Sequence, residues 1–234
     1  MAFEVQDATL SRKLGETSRI GFIRKVYAIL CTQLAITAIF TVITLKSLAL
    51  QEFMVKNTAL FFIMMALYFI TIYALACYPT VARSVPINYI LTFIFTGAMS
   101  YMVAFISSRF DPNLVATAAI LTAVMMMGLT TYACYTKTDF TMCGGFLFVM
   151  SFLLIGMIFV GIWVSNKFYH AVISVISIGL FSLYIIYDTQ LIVGNKEAKY
   201  NLDDYILAAI NLYLDIINLF LSILRLLGAA SKSS

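Results

Sequence analysis

The chain is a series of long apolar runs separated by short polar breaks. A bilayer core of ~30 Å takes about 20 residues of helix, and seven runs reach that length. They are Val26–Leu45, Thr58–Tyr78, Asn88–Ser107, Leu114–Tyr135, Met142–Ser165, Phe168–Val193 and Asp204–Leu227. Charges and turn formers collect in the breaks, among them PTVARSVPI, SRFDPN, TKTDFT and GNKEAKYNLD. Pro79, Pro86 and Pro112 all fall there, where a missing N–H interrupts no span. No segment alternates as the strands of a lipid-facing barrel do. The pattern predicts an all-α membrane protein. A cytosolic tail covers 1–25, seven transmembrane helices cover 26–227 and a short polar tail covers 228–234.

Composition makes lipid the solvent. Hydrophobic residues are 62% of the chain and charged residues 11%, against about 25% charged in soluble domains. The net charge of +4 is scattered and not interleaved with aromatics, so no nucleic-acid partner is expected; membrane lipid is the expected contact. The first 24 residues mix both signs of charge without an apolar core. They do not form a signal peptide, and the first span is expected to act as its own insertion signal. With the tail inside, nine Lys and Arg fall on the inner side, counting Arg83, Lys137, Lys196 and Lys199 with the five of the tail, against six on the outer side. This bias puts the tail in the cytosol. Arg225 and Lys232 favour the same side, which leaves open a last segment that enters and turns back.

Little conventional chemistry is available. Cys31, Cys77, Cys134 and Cys143 lie in or beside apolar runs without a C-x-x-C pair, as small apolar fillers do. His170 is the sole histidine and sits at a span edge, so no histidine-built metal site forms within one chain. No resident cofactor is expected. The acids are the informative residues. Nine of the eleven lie in tails, loops or span edges, and only Asp188 and Asp215 lie well inside spans. An ionisable group at that depth costs several kcal/mol and points to function.

The last span carries Asn211, Asp215, Asn218, Ser222 and Arg225 at steps of four and three, one polar face of a helix. In the sixth span Ser177, Phe181, Tyr184 and Asp188 share a face, so Tyr184 is expected to support Asp188. Asp188 lies ~9 Å below the connecting loop and Asp215 ~16 Å at 1.5 Å per residue. A pair is allowed by depth and not demanded by it. Two carboxyls in a poorly hydrated niche do not both ionise readily, and one retains its proton. Such a pair is a candidate proton sensor and gate. Arg83 is a candidate latch for the doubly ionised state, while Asn211, Asn218, Tyr184 and Ser222 are candidate pore-lining or supporting groups. The alternative is that each aspartate bonds its neighbours and pins helices. Asp203 and Asp204 are expected to cap the last helix, and Gly144–Gly145 to allow close packing.

The runs 187-YDTQLIVG-194 and 204-DYILAAINLYLDIINLFLSILRLLG-228 resemble the Bax-inhibitor/Lifeguard family. The likeness extends to 22-FIRKVYAILCTQL-34, 99-MSYMVAF-105 and 135-YTKTDFTMCGGFLFV-149. The short tail looks like that of the Golgi-type Lifeguard members. The resemblance implies seven helices, with the last at the centre, and a pH-sensitive calcium leak linked to suppression of cell death. It maps the family's paired aspartates onto Asp188 and Asp215, and its latching arginine onto Arg83. It implies a home in the ER or Golgi, with the mitochondrial inner membrane as an alternative.

Three functions compete. In a calcium leak, calcium is the transported ion, and Asp188 and Asp215 offer it transient hard oxygen ligands. In a non-conducting scaffold, the chain binds other membrane proteins of calcium or cell-death pathways. In an intramembrane aspartyl protease, Tyr187–Asp188 supplies one catalytic acid. The second acid of such enzymes follows Gly-x-Gly, whereas Asp215 follows Leu212–Tyr213–Leu214. A non-enzymatic role is therefore expected.

Overall fold

A computed structural model describes residues 2–164, 166–194, 196 and 198–231, with side chains from residue 15 onward. The chain forms nine helices among these residues: α1 (Ala2–Lys46), α2 (Leu48–Lys56), α3 (Thr58–Cys77), α4 (Pro79–Arg83), α5 (Ile87–Ser107), α6 (Pro112–Tyr135), α7 (Gly144–Gly161), α8 (Lys167–Val193) and α9 (Tyr205–Ser231). A 3-10 turn, Phe140–Cys143, leads into α7. Seven of these segments are long and apolar enough to cross a membrane, and none of the described residues forms a strand. The predicted spans hold to within a few residues at most ends. The main exception is the first, where the helix continues back through the tail to Ala2. Ser165, the predicted end of the fifth span, and Lys232 lie outside the described residues.

Burial identifies the centre. In α9, 78% of the most apolar window is buried, and in α5 61%, against 11% in α3 and in α7. The outer helices turn Phe62, Phe69, Phe148 and Phe152 outward. That arrangement is stable only where the surroundings are as apolar as the side chains. α9 is the inverse case, with Ile206, Ile210, Leu212, Tyr213, Leu219 and Leu224 fully enclosed. It is one unbroken helix of 27 residues, which removes the alternative of a last segment that turns back.

Polar rungs tie the outer helices to this core. Gln33 Nε2 of α1 donates to Thr96 Oγ1 of α5 at 3.1 Å. Thr37 Oγ1 lies 2.8 Å from the Tyr213 hydroxyl and 2.9 Å from Ser100 Oγ, joining α1, α5 and α9. In hydrocarbon these hydroxyls have no water to fall back on. Tyr213→Phe, which keeps the ring, is expected to lower stability by about 1 kcal/mol. Thermal unfolding of the purified protein in detergent measures it.

One glycine of the Gly144–Gly145 pair marks a close approach. A Cβ on Gly144 would stand 3.0 Å from the Tyr187 hydroxyl, so this residue lets α7 rest on α8. Gly145 faces open space and has no such role.

Candidate functional site

The site forms where α8 and α9 leave the short connection between them. Asp188 is the second-last-turn acid of α8, and Asp215 lies in the middle of α9. They are 4% and 7% exposed. Each carboxyl acts on the other across the seam between α8 and α9, so the depth mismatch left by the sequence closes. Two carboxyls that face each other out of water do not both ionise readily. Asp215 Oδ2 is buried and has no hydrogen-bond partner.

The connection folds back over this pair. Tyr200 reaches inward, its hydroxyl 3.5 Å from Asp188 Oδ1 and accepting Asn211 Nδ2 at 2.8 Å. Burial first, and the nearby Asp188 second, push the Tyr200 phenol well above its ordinary range. It therefore remains a proton donor and not a base. Tyr200 lies outside every apolar run, and its only signal in the sequence was an aromatic in a loop of charges.

Several contacts hold the connection down. α8 ends on Gly194, whose φ of 69° is the left-handed cap that glycine adopts without strain. The guanidinium of Arg19, on α1, donates from Nη1 to the Tyr200 carbonyl at 2.6 Å, from Nε to Val193 at 3.3 Å, and from Nη2 to Leu191. It closes the carbonyl end of α8, where a cation also meets the negative end of the helix dipole. Lys196 Nζ donates to the Thr136 and Lys137 carbonyls, joining this connection to the one between α6 and α7. Gln190, fully buried, accepts Phe140 N at 2.8 Å and donates to Thr138 O at 3.0 Å.

The other predicted side chains take different partners. Tyr184 does not support Asp188. Its hydroxyl lies 2.8 Å from Ser151 Oγ of α7. Asn218 donates to the Leu214 carbonyl and Ser222 to the Asn218 carbonyl, so both close bonds within α9, while Asn211 joins the site through Tyr200. Arg83 makes a two-pronged pair with Asp204, at 2.8 and 3.1 Å. That residue is eleven positions, or ~16 Å of helix, from Asp215, so Arg83 does not touch the aspartate pair here. Asp204 was expected to cap α9. Its carbonyl does accept Ala208 N at the first turn, but its carboxylate is given to Arg83. His170, at the opposite end, faces the Val164 carbonyl.

As an ion site the pair is incomplete. Calcium takes six to eight oxygens, and no group of three or more His, Cys, Asp or Glu converges among the described residues. Asp188 and Asp215 have the composition of a passing contact for a cation.

The family model described as "Inhibitor of apoptosis-promoting Bax1" matches residues 19–232. Protein lifeguard 3 of Homo sapiens is 36% identical over 218 residues, covering 90% of this chain and 69% of the human protein. Protein lifeguard 3 of Mus musculus is 33% identical over 216 residues, covering 90% and 70%. The Golgi anti-apoptotic protein of Vaccinia virus (strain Lister) is 35% identical over 214 residues, covering 92% and 87%. With seven apolar helices, the last of them the buried α9, and a match along nearly its whole length, the chain belongs to the Bax-inhibitor/Lifeguard family.

Proposed function

We propose that this protein is a pH-sensitive calcium leak of an intracellular membrane, the ER or Golgi, that restrains cell death. The observation that carries the reading is the enclosed Asp188–Asp215 pair under the Tyr200 connection. While the two carboxyls share a proton, the niche is nearly neutral and the connection lies closed over it. Loss of that proton leaves two like charges in poorly solvated surroundings. Their repulsion loosens α8 from α9 at this end, and their field draws in a divalent cation. Flux therefore rises with pH. Arg83 acts as a latch through Asp204, holding the start of α9, and not by contact with the pair. The tail faces the cytosol, so the pair opens to that side. The family description and the viral relative's name both speak of opposing apoptosis, which supports the cell-death role and a non-enzymatic one. The word Golgi in the viral relative's name supports the compartment. Membrane-protein partners in these pathways belong to the same reading.

Calcium flux from dye-loaded proteoliposomes, followed across pH, is the test. Wild-type protein is expected to leak calcium more as pH rises, and Asp188→Asn with Asp215→Asn to remove the pH response. A folded wild-type protein that is silent at every pH sinks the leak and leaves a non-conducting regulator.

A further inference from the structure

Away from the aspartates, α1 and α6 part to leave a cleft of about 550 Å³ whose floor is α9 itself, at Ile216, Ile217 and Phe220. Three features of its walls specify an occupant. The α6 wall is built of small residues at helical spacing, Ala116, Ala119 and Ala123, so the gap follows from side-chain size along one helical face. The α1 wall runs from Leu34 to Lys46. Twelve residues at 1.5 Å give ~18 Å, close to half of a ~30 Å hydrocarbon core. The cleft is thus about one leaflet deep and apolar along its length, the dimensions of one acyl chain. Its polar groups are graded. Lys46 closes one end with an exposed ammonium, beside Pro112 at the positive start of α6. Of the hydroxyls on the wall, Thr37 bonds Tyr213 and Thr122 bonds the Ala118 carbonyl. Thr41, 7% exposed, has a hydroxyl with no partner. It lies five residues, ~7.5 Å, deeper than Lys46; the hydroxyl is buried, and a change of χ1 between the two rotamers open to a helical threonine is what would turn it to the cleft.

We propose that this cleft binds one anionic phospholipid, with its phosphate at Lys46, an ester carbonyl accepting from Thr41 Oγ1 and one acyl chain laid along α9. The surrounding solvent is lipid, so an apolar cleft open to the side is filled by lipid. Lys46 and Thr41 turn general filling into selection of a negatively charged headgroup. The site is separate from the aspartate pair and does not depend on the leak.

Native mass spectrometry of the purified chain, titrated with phosphatidylglycerol or phosphatidylcholine, reads it directly. The first equivalent of phosphatidylglycerol is expected to bind about fivefold tighter than phosphatidylcholine, as one lysine at an anionic lipid provides. Lys46→Gln brings the ratio close to one, whereas Lys167→Gln, an exposed lysine at the start of α8, leaves it unchanged. Thr41→Val weakens both lipids about fivefold, the worth of one hydrogen bond. Ala119→Phe, which fills the cleft, removes the first equivalent of both. Equal affinities in the wild type, or a headgroup preference that survives Lys46→Gln, overturns the proposal. If Ala119→Phe does not fold, Lys46→Gln and Thr41→Val decide it alone.

Discussion

Gly194→Ala is expected to lower stability by about 3 kcal/mol, far more than an alanine in a surface turn normally costs. Two effects combine. The φ of 69° puts an L-residue in the left-handed region, worth roughly 1–2 kcal/mol. A Cβ there would also stand 2.6 Å from the guanidinium of Arg19. That group is the far end of a flexible side chain, and elsewhere it would swing aside. Here it is bound to the carbonyls of Leu191, Val193 and Tyr200, so moving it gives up a set of charge-assisted bonds, each worth about 1.5–3 kcal/mol. The two effects separate by a double-mutant cycle. With Arg19→Ala already in place, Gly194→Ala should cost only the backbone strain, and the two losses should fail to add by at least 1 kcal/mol. Thermal midpoints in one detergent measure all four corners of the cycle. Additive losses would mean that Arg19 does not hold the end of α8.

The spans were legible because hydropathy over 20 residues is a strong signal, and the polar stripe of the last one marked a face turned to protein or water; its central place came only from the family resemblance. The aspartate pair was legible only as an allowed meeting, since residue counting from the connection sets Asp188 and Asp215 about one turn apart in depth. Packing of α8 on α9 removes that difference. Tyr184 shows why a shared helical face is a weak guide to contact. Side chains on a helix lean toward its N-terminus, so the Tyr184 hydroxyl points away from Asp188, one turn later, and reaches Ser151 of α7. The group that does reach Asp188 is Tyr200, in a loop without periodicity to place it. Arg19 was visible only as one positive charge in a tail, useful for orientation. Its role as a helix cap depends on α1 bringing it beside the end of α8, 174 residues on in sequence. Arg83 followed the same rule in reverse. Its family resemblance pointed to the buried acids, but Asp204 is nearer. Long-range polar contacts of loops and tails were the part that hydrophobic spacing does not encode.

Gln190→Leu is expected to cost about 2 kcal/mol, since a backbone group left unpaired costs about 1–3 kcal/mol when buried and the two that Gln190 serves are half-buried. The glutamine is enclosed completely, and its amide is used at both ends. The oxygen takes Phe140 N, and the nitrogen serves the Thr138 carbonyl, with Ala133 O farther off at 3.5 Å. Leucine fills the space and strands the Phe140 N–H and the Thr138 carbonyl. Gln190→Glu separates the two halves of that role, because a carboxylate still accepts from Phe140 N but offers nothing to Thr138 O. It should therefore be no better than leucine. Lys196 continues to hold Thr136 and Lys137 in either variant, so the loss should appear as a thermal midpoint lowered by about 6 °C and not as detachment of the whole α6–α7 connection. Residues 188 and 190 stand two apart on α8 and so face about 200° apart at 3.6 residues per turn. Within Y-D-T-Q, the aspartate is turned to α9 and the glutamine to the connection before α7. A four-residue motif thus does two jobs, and Gln190→Leu should remove the structural one while leaving Asp188 beside Asp215.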